Sequence, residues 1–173
     1  MTTPPGAVRS DLEQVFRRDY PRVLAVAARV LGSRDEADDV AQEVFLAFGR
    51  SAVPSGEAPG WLAVAAAHTA LNHLRSGRRR AAREKAVADG AGGRDPAPDV
   101  AEAVVTRDER RRVRAALARL PRKQAVALVL RHSGLSYADV AAALDLSPGS
   151  VGTTVRRAES ALRKELSNHA FTD

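Results

Sequence analysis

The chain contains no cysteine, which excludes disulfide stapling, a thiolate zinc site and direct cysteine redox sensing. Aromatic residues make up only 4% of its 173 positions, against 45% hydrophobic residues, so any core is built from Ala, Val and Leu. That composition favours helices and argues against a β-sandwich. Lysine is scarce: Lys85, Lys123 and Lys164 stand against a large majority of arginines. No apolar run approaches the ~20 residues that a membrane span requires. Met1 to Arg9 lacks the basic-then-apolar layout of a signal peptide. The expectation is an intracellular, cytoplasmic protein with no membrane partner. Catalytic signatures are missing as well. There is no Gly-rich phosphate loop and no nucleophile elbow, and the histidines at 68, 73, 132 and 169 never fall at ligand spacing. The chain is therefore expected not to be an enzyme, with no catalytic residue, no metal and no cofactor.

What is present is basic and helical. A formal charge of +6 and a pI near 10.6 point toward a polyanionic partner. No strand pattern and no internal repeat occurs, so the expected fold is all-α. Residues 81–98 change character: Ala81 to Lys85 could prolong a helix, but Asp89 to Pro98 is glycine- and proline-rich. A flexible linker is expected over 81–98, between small helical domains at 10–80 and 99–168.

The first domain reads as three helices. Ser10 with Glu13 predicts a capping box opening a long helix that Pro21 kinks and Gly32 ends. Ser33 with Glu36 predicts a second box, followed by Ala37, Val40, Ala41, Val44, Phe45 and Phe48 at the spacing of one buried face. Pro54, Gly56 and Pro59 mark a loop, and a third helix runs through Trp61, Leu62, Leu71 and Leu74 into an arginine run. In the second domain, Asp99 and Glu102 predict the cap of a helix reaching Leu120, and an apolar helix follows Pro121.

The segment from Leu135 to Leu166 is the most telling. Ser136 with Asp139 caps a short helix whose apolar stripe is Tyr137, Val140, Ala141 and Leu144. A break at Asp145 to Ser147 follows, and Pro148 restarts a helix at its first position. Val151, Val155, Ala158 and Leu162 give that helix a buried face, while Ser147, Pro148, Ser150, Thr153, Thr154, Arg156 and Arg157 supply a polar one. This is how a helix-turn-helix presents one helix to the DNA major groove. A helical hairpin with a solvated basic face is the plainer reading of the segment taken alone.

Two further clusters carry charge. Asp35, Asp38, Asp39, Gln42 and Glu43 gather acids and an amide on one helix face of a basic protein, which suits a basic protein surface. Arg75, Arg78, Arg79, Arg80, Arg83 and Lys85 form a cationic run suited to phosphates, with His68, Asn72 and His73 just upstream. A plain solvated face and a cation-rich helix end remain the alternatives.

Taken in order, these segments resemble the extracytoplasmic-function (ECF) sigma factors, minimal sigma-70-type subunits of RNA polymerase. Asp35 to Leu46 (DEADDVAQEVFL) is similar to the family's core-binding helix. Trp61-Leu62 through Leu71-Asn72-His73-Leu74-Arg75 is similar to the helix that engages the −10 promoter element. Ala116 to Leu130 and Leu135 to Ala141 resemble the start of the fourth region and of its helix-turn-helix. Ala63, Ala67 and His68 differ from the usual residues of the third helix, as do Gly152, Thr153, Thr154 and Glu159 in the last. The resemblance implies two domains, a region-2-like 10–80 and a region-4-like 99–168. It implies RNA polymerase core (largest-subunit clamp and second-largest-subunit flap) and promoter DNA as partners, with room for an anti-sigma factor. It places Asp35, Asp38, Asp39, Gln42 and Glu43 against the polymerase. Ser55, Gly56, Glu57, Trp61, His68, Asn72, Arg75, Arg78 and Arg79 fall at the −10 element, and Ser147, Pro148, Ser150, Thr153, Thr154, Arg156 and Arg157 at the −35 element. A conventional helix-turn-helix repressor with a helical dimerisation lobe is the alternative.

Overall fold

The computed structural model describes residues 9–88 and 101–169, and among them seven helices and no strand occur. Helix α1 (Leu12–Leu31) starts at Asp11 rather than at Ser10. The Ser10–Glu13 box does not form there, because Arg9 grips the Asp11 carboxylate with two hydrogen bonds of 2.9 and 2.7 Å at the helix entrance. Helix α1 stays continuous through Pro21 and ends at Gly32, whose φ of 70° is the left-handed cap that glycine adopts without strain. Ser33 then accepts the Glu36 amide at 3.3 Å and opens α2 (Arg34–Arg50), which is one half of the capping box its sequence predicts.

The predicted face of α2, from Ala37 to Phe48, is buried against α1 and α3. The few aromatics concentrate here. Phe16 lies 4.8 Å from both Tyr20 and Phe45, and Trp61 lies 5.8 Å from Phe48. Helix α3 (Ala58–Ala88) is the longest at 31 residues, about 46 Å at 1.5 Å per residue. Residues 81–88, expected in the linker, continue this helix instead. Ala, Arg, Glu and Lys are strong helix formers, and no glycine or proline interrupts them before Gly90. The remaining linker residues, 89–98, and the predicted cap Asp99 lie outside the described residues.

The second lobe comprises α4 (Ala101–Arg119), α5 (Arg122–His132), α6 (Tyr137–Leu144) and α7 (Pro148–His169). Ser136 and Asp139 form the predicted reciprocal capping box of α6. The turn to α7 is tight: Asp145 takes a left-handed φ of 50°, and the Leu146 amide returns to the Ala141 carbonyl at 2.9 Å. Val140 and Ala141 of α6 face inward with Val151, Val155 and Ala158 of α7. Tyr137 does not join them. It is 48% exposed and carries the Arg131 guanidinium over its ring at 4.8 Å.

The two lobes are not separate bodies. Helix α3 meets α4, α5 and α6 as well as α1 and α2. The buried apolar residues form one cluster running from Val15 in α1 to Ala158 in α7.

Candidate nucleic-acid interface

Helix α2 presents the acidic group outward. Asp35, Asp39, Gln42 and Glu43 are exposed, while Asp38 is half-buried and accepts the Tyr20 hydroxyl at 2.5 Å. That bond fastens α2 to α1 and holds the Tyr20 phenol above its ordinary pKa, chiefly by stabilising its protonated form. Asp35, Asp39 and Gln42 lie at helical spacing with Leu46, which is 61% exposed. Leu46 extends this exposed face, and charge-based reading did not single it out. The signal was its i+4 position from Gln42.

The loop before α3 is held by two arginines. Arg9 donates to the carbonyls of Val53 at 2.6 Å and Ser51 at 3.4 Å, and its guanidinium lies 4.3 Å from the Phe48 ring centroid. Arg18 donates to the Ser55 carbonyl at 3.2 Å while paired at 2.7 Å with Asp19, the one buried charged residue among those described. Ser55, Gly56 and Glu57 thus sit on a loop whose backbone is tied to α1, with Gly56 and Glu57 exposed.

On α3, Trp61, His68, Asn72, Arg75 and Arg79 follow one another at helical spacings of seven, four, three and four residues, so they share one flank of the helix. Trp61 is half-buried on Phe48. Arg79 and Arg80 are exposed and line a shallow hollow with Ser76, Arg83 and Glu84. The side chain of Arg78 lies outside the described residues. His73, on the adjacent flank, contacts Glu43 of α2 at 3.2 Å and so joins the acidic group to the third helix.

The middle of this flank is occupied by the second lobe. Arg122, the first residue of α5, contacts His68 Nδ1 at 3.1 Å and donates to Asn72 Oδ1. Arginine has no acceptor, so the His68 Nδ1 must accept. Burial, then the nearby Arg122 and Arg75 charges, lower the His68 pKa from its ordinary 6.5. Arg75 in turn donates to the carbonyls of Ala118 at 3.0 Å and Leu120 at 2.9 Å. These carbonyls close α4, where a cation is electrostatically welcome. Sequence reading did not single out Arg122. A signal existed: a cation in the first turn of a helix opposes the macrodipole, so it needs a partner elsewhere.

The third group lies on α7. Thr153, Arg156 and Arg157 are exposed. Thr154 is half-buried, and its hydroxyl donates to the Ser150 carbonyl at 2.8 Å, leaving it no donor for an outside contact, only its oxygen as an acceptor and its methyl. At the N-terminal turn, the Ser147 and Ser150 hydroxyls pair at 2.6 Å beside Pro148. Among the described residues no His, Cys, Asp and Glu cluster suited to a metal occurs, and no helix is long and apolar enough to cross a membrane.

A three-helix lobe with an acid-faced helix and a basic-ended one, followed by a lobe ending in a helix-turn-helix, is the sigma-70 arrangement. Residues 15–80 match the family model of sigma-70 region 2, and residues 110–162 match that of sigma-70 region 4. The chain belongs to the ECF RNA polymerase sigma factors. It is 30% identical to SigK of Mycobacterium tuberculosis strain H37Rv, over 94% of this chain and 97% of that one. It is 31% identical to SigE of Mycolicibacterium smegmatis, over 91% of this chain and 62% of that one. The fold is also similar to that of the sigma factor RpoE solved with the anti-sigma factor NepR from Bartonella quintana. That likeness has a TM-score of 0.50 and 24% identity, covering 92% of this chain and 98% of that one. As a member of this family the protein directs promoter-specific transcription initiation, which favours the sigma-factor reading over the repressor alternative.

Proposed function

We propose that the protein divides initiation among three surfaces. The acidic stripe of α2, with Leu46 at its end, docks on the clamp of the polymerase largest subunit, where carboxylates complement a basic surface and a leucine adds apolar contact. The flank of α3, with the 55–57 loop, meets the −10 element. Arg79 and Arg80 hold phosphates, while Asn72 and the loop lie near a base taken from the stack, whose unstacking costs a few kcal/mol and so calls for a receiving pocket. Helix α7 enters the major groove at the −35 element, where Arg156 and Arg157 are the guanine readers and Thr153 a weaker one. The second lobe also contacts the flap of the second-largest subunit, and an anti-sigma factor is a further partner, in line with the relative solved in such a complex. The chemistry of RNA synthesis stays with the polymerase, and this chain acts by binding alone, in the cytoplasm.

The observation that carries this reading is the co-alignment of Trp61, His68, Asn72, Arg75 and Arg79 on one side of a helix that ends in arginines. Run-off transcription by core polymerase on a genomic promoter library, with and without the protein, tests it. Defined start sites should appear only with the protein present. If the protein changes no start site, the assignment is wrong.

A further inference from the structure

The loop between α2 and α3 is held from outside itself. Along it, Ser51, Val53 and Ser55 are half-buried while Ala52 and Pro54 are exposed. The carbonyls of the three half-buried residues all accept from arginines that precede or belong to α1. Arg9 takes those of Ser51 and Val53, and Arg18 takes that of Ser55. Ser55 is gripped a second time. Its hydroxyl lies close enough to Asp11 to help hold that carboxylate below its ordinary pKa, after the larger effect of Arg9. The aim of Arg18 is set in turn. Sequence neighbours on a helix do not face each other, yet Arg18 Nε and Nη2 both reach back to one oxygen of Asp19, at 2.9 and 2.7 Å. Asp19 is the one buried charged residue among those described, and a buried carboxylate needs its partner, so it keeps Arg18 folded back. The same Nη2 reaches the Ser55 carbonyl at 3.2 Å. Beyond Ser55 the turn opens: Gly56 and Glu57 are exposed, and a Cβ built on Gly56 meets nothing within 4 Å.

We propose that Arg18, locked by Asp19, is a positioning residue for base selection at the −10 element, that Ser55 is its anchor, and that Glu57 reads the base in the open space beside Gly56. The inference rests on the −10 role proposed above for the 55–57 loop. A carboxylate only accepts, so Ser55 gives its hydroxyl proton to Asp11, and its carbonyl is already held by Arg18. Ser55 therefore has no donor to offer a base. Glu57 is an acceptor at the exposed end of the turn, which suits a base carrying an exocyclic amino group, a group that thymine lacks. Hydrogen bonds hold only over about 2.7–3.2 Å, so a turn displaced by about 1 Å loses this discrimination. The arginines of α3 would keep their phosphates all the while, since they lie on a different element.

The test uses one genomic promoter on which the protein starts transcription, with all four bases placed at each −10 position and a barcode in the transcribed part. Transcript counts with core polymerase give a base-preference profile for each form of the protein. In the wild type one position should favour amino-bearing bases over thymine about tenfold, the order expected for one read base. Glu57→Gln adds a donor and should raise thymine at that position. Arg18→Ala should flatten the same position to about twofold, leaving the other −10 positions and co-purification with core as in the wild type. Arg18→Lys keeps a donor and should restore part of the preference. Circular dichroism checks the fold. Should Arg18→Ala fold poorly, its combination with Asp19→Asn removes the orphaned buried charge and takes its place. An even loss over all −10 variants in Arg18→Ala, or a profile that Glu57→Gln moves and Arg18→Ala does not, overturns the positioning role. A profile moved by Arg18→Ala but not by Glu57→Gln, or one that favours thymine in the wild type, overturns Glu57 as the reader. Failure of the −10 reading of the loop is seen separately, as a profile that neither change moves at any position.

Discussion

At the scale of single residues, His68 is the most conditional contact in the molecule. Its Nδ1 can accept from Arg122 only in the neutral ring, so the proton must sit on Nε2 or be absent from the Nδ1 side. Burial and the Arg122 and Arg75 charges hold its pKa below the ordinary 6.5. The folded form thus binds this proton less readily than the unfolded chain. The contact is intact above pH 6.5 and is lost as acid drives the ring through its lowered pKa. Wild-type stability, followed by urea denaturation between pH 7.5 and 5, should therefore decline more steeply with acid than that of His68→Asn. Parallel profiles would remove His68 from the account. Thr154 teaches a related lesson about hydroxyls. Its spacing places it among the polar residues of α7, yet its donor is committed to Ser150 within the helix. Thr153 is the threonine left facing outward. Thr153→Arg should shift −35 preference toward a guanine-bearing site by roughly 1–3 kcal/mol of discrimination, with Thr154→Arg having the smaller effect. Promoter-variant transcription assays measure the difference, and a larger effect at Thr154 would reverse the assignment.

At the scale of elements, α2 carries two distinct faces, one buried and one acidic and exposed. Its buried face was legible in the sequence because Ala37, Val40, Ala41, Val44, Phe45 and Phe48 repeat at helical spacing and Ser33 caps it. Its outer face was legible because carboxylates stand out on a basic chain. Asp39→Arg with Glu43→Arg should abolish co-purification with core polymerase while leaving helicity unchanged, since both positions are exposed. Leu46→Ala should weaken the association by up to ~2 kcal/mol, the worth of burying one large apolar side chain. Native retention of core by the doubly reversed protein would discard this docking face. The helix-turn-helix was legible for the same kind of reason: the Ser136–Asp139 box and Pro148 are local signals, and the structure places both where the sequence does. Other features lacked a local signal. Asp11 takes the position before α1 expected for Ser10, and its carboxylate goes to Arg9 rather than to a cap bond. Tyr137 left the predicted stripe and instead meets the guanidinium of Arg131, in the last turn of α5, through its ring. Helix α3 outran its predicted end because charge density alone does not stop a helix when all its residues there but Val87 are good helix formers.

At the scale of the whole molecule, the relation between the lobes was the feature least available to sequence reading. Periodicity reports which side of a helix is apolar but not which partner covers it. For α3, Leu62 and Leu71 are fully buried together with Ala63, Ala66, Ala67 and Ala70, so this helix is covered over a wider arc than one stripe supplies. Small side chains there let neighbouring backbones approach closely. A shared apolar cluster also implies shared cooperativity. Scanning calorimetry of the free protein should show a single heat-absorption peak, and Arg122→Ala should separate it into two. Two peaks in the wild type would mean that the lobes fold independently. The same arrangement gives the protein a history in time. The chain is made from its N-terminus at roughly 5–20 residues per second, so α1 to α3 are made some seconds before α5. During that interval Asn72 and Arg75 have no arginine or carbonyl from the second lobe to meet, and the nascent first lobe is in its most exposed state. The finished chain covers part of a flank that its unfinished form leaves bare, so the order of synthesis alone exposes that flank for a brief period in each molecule.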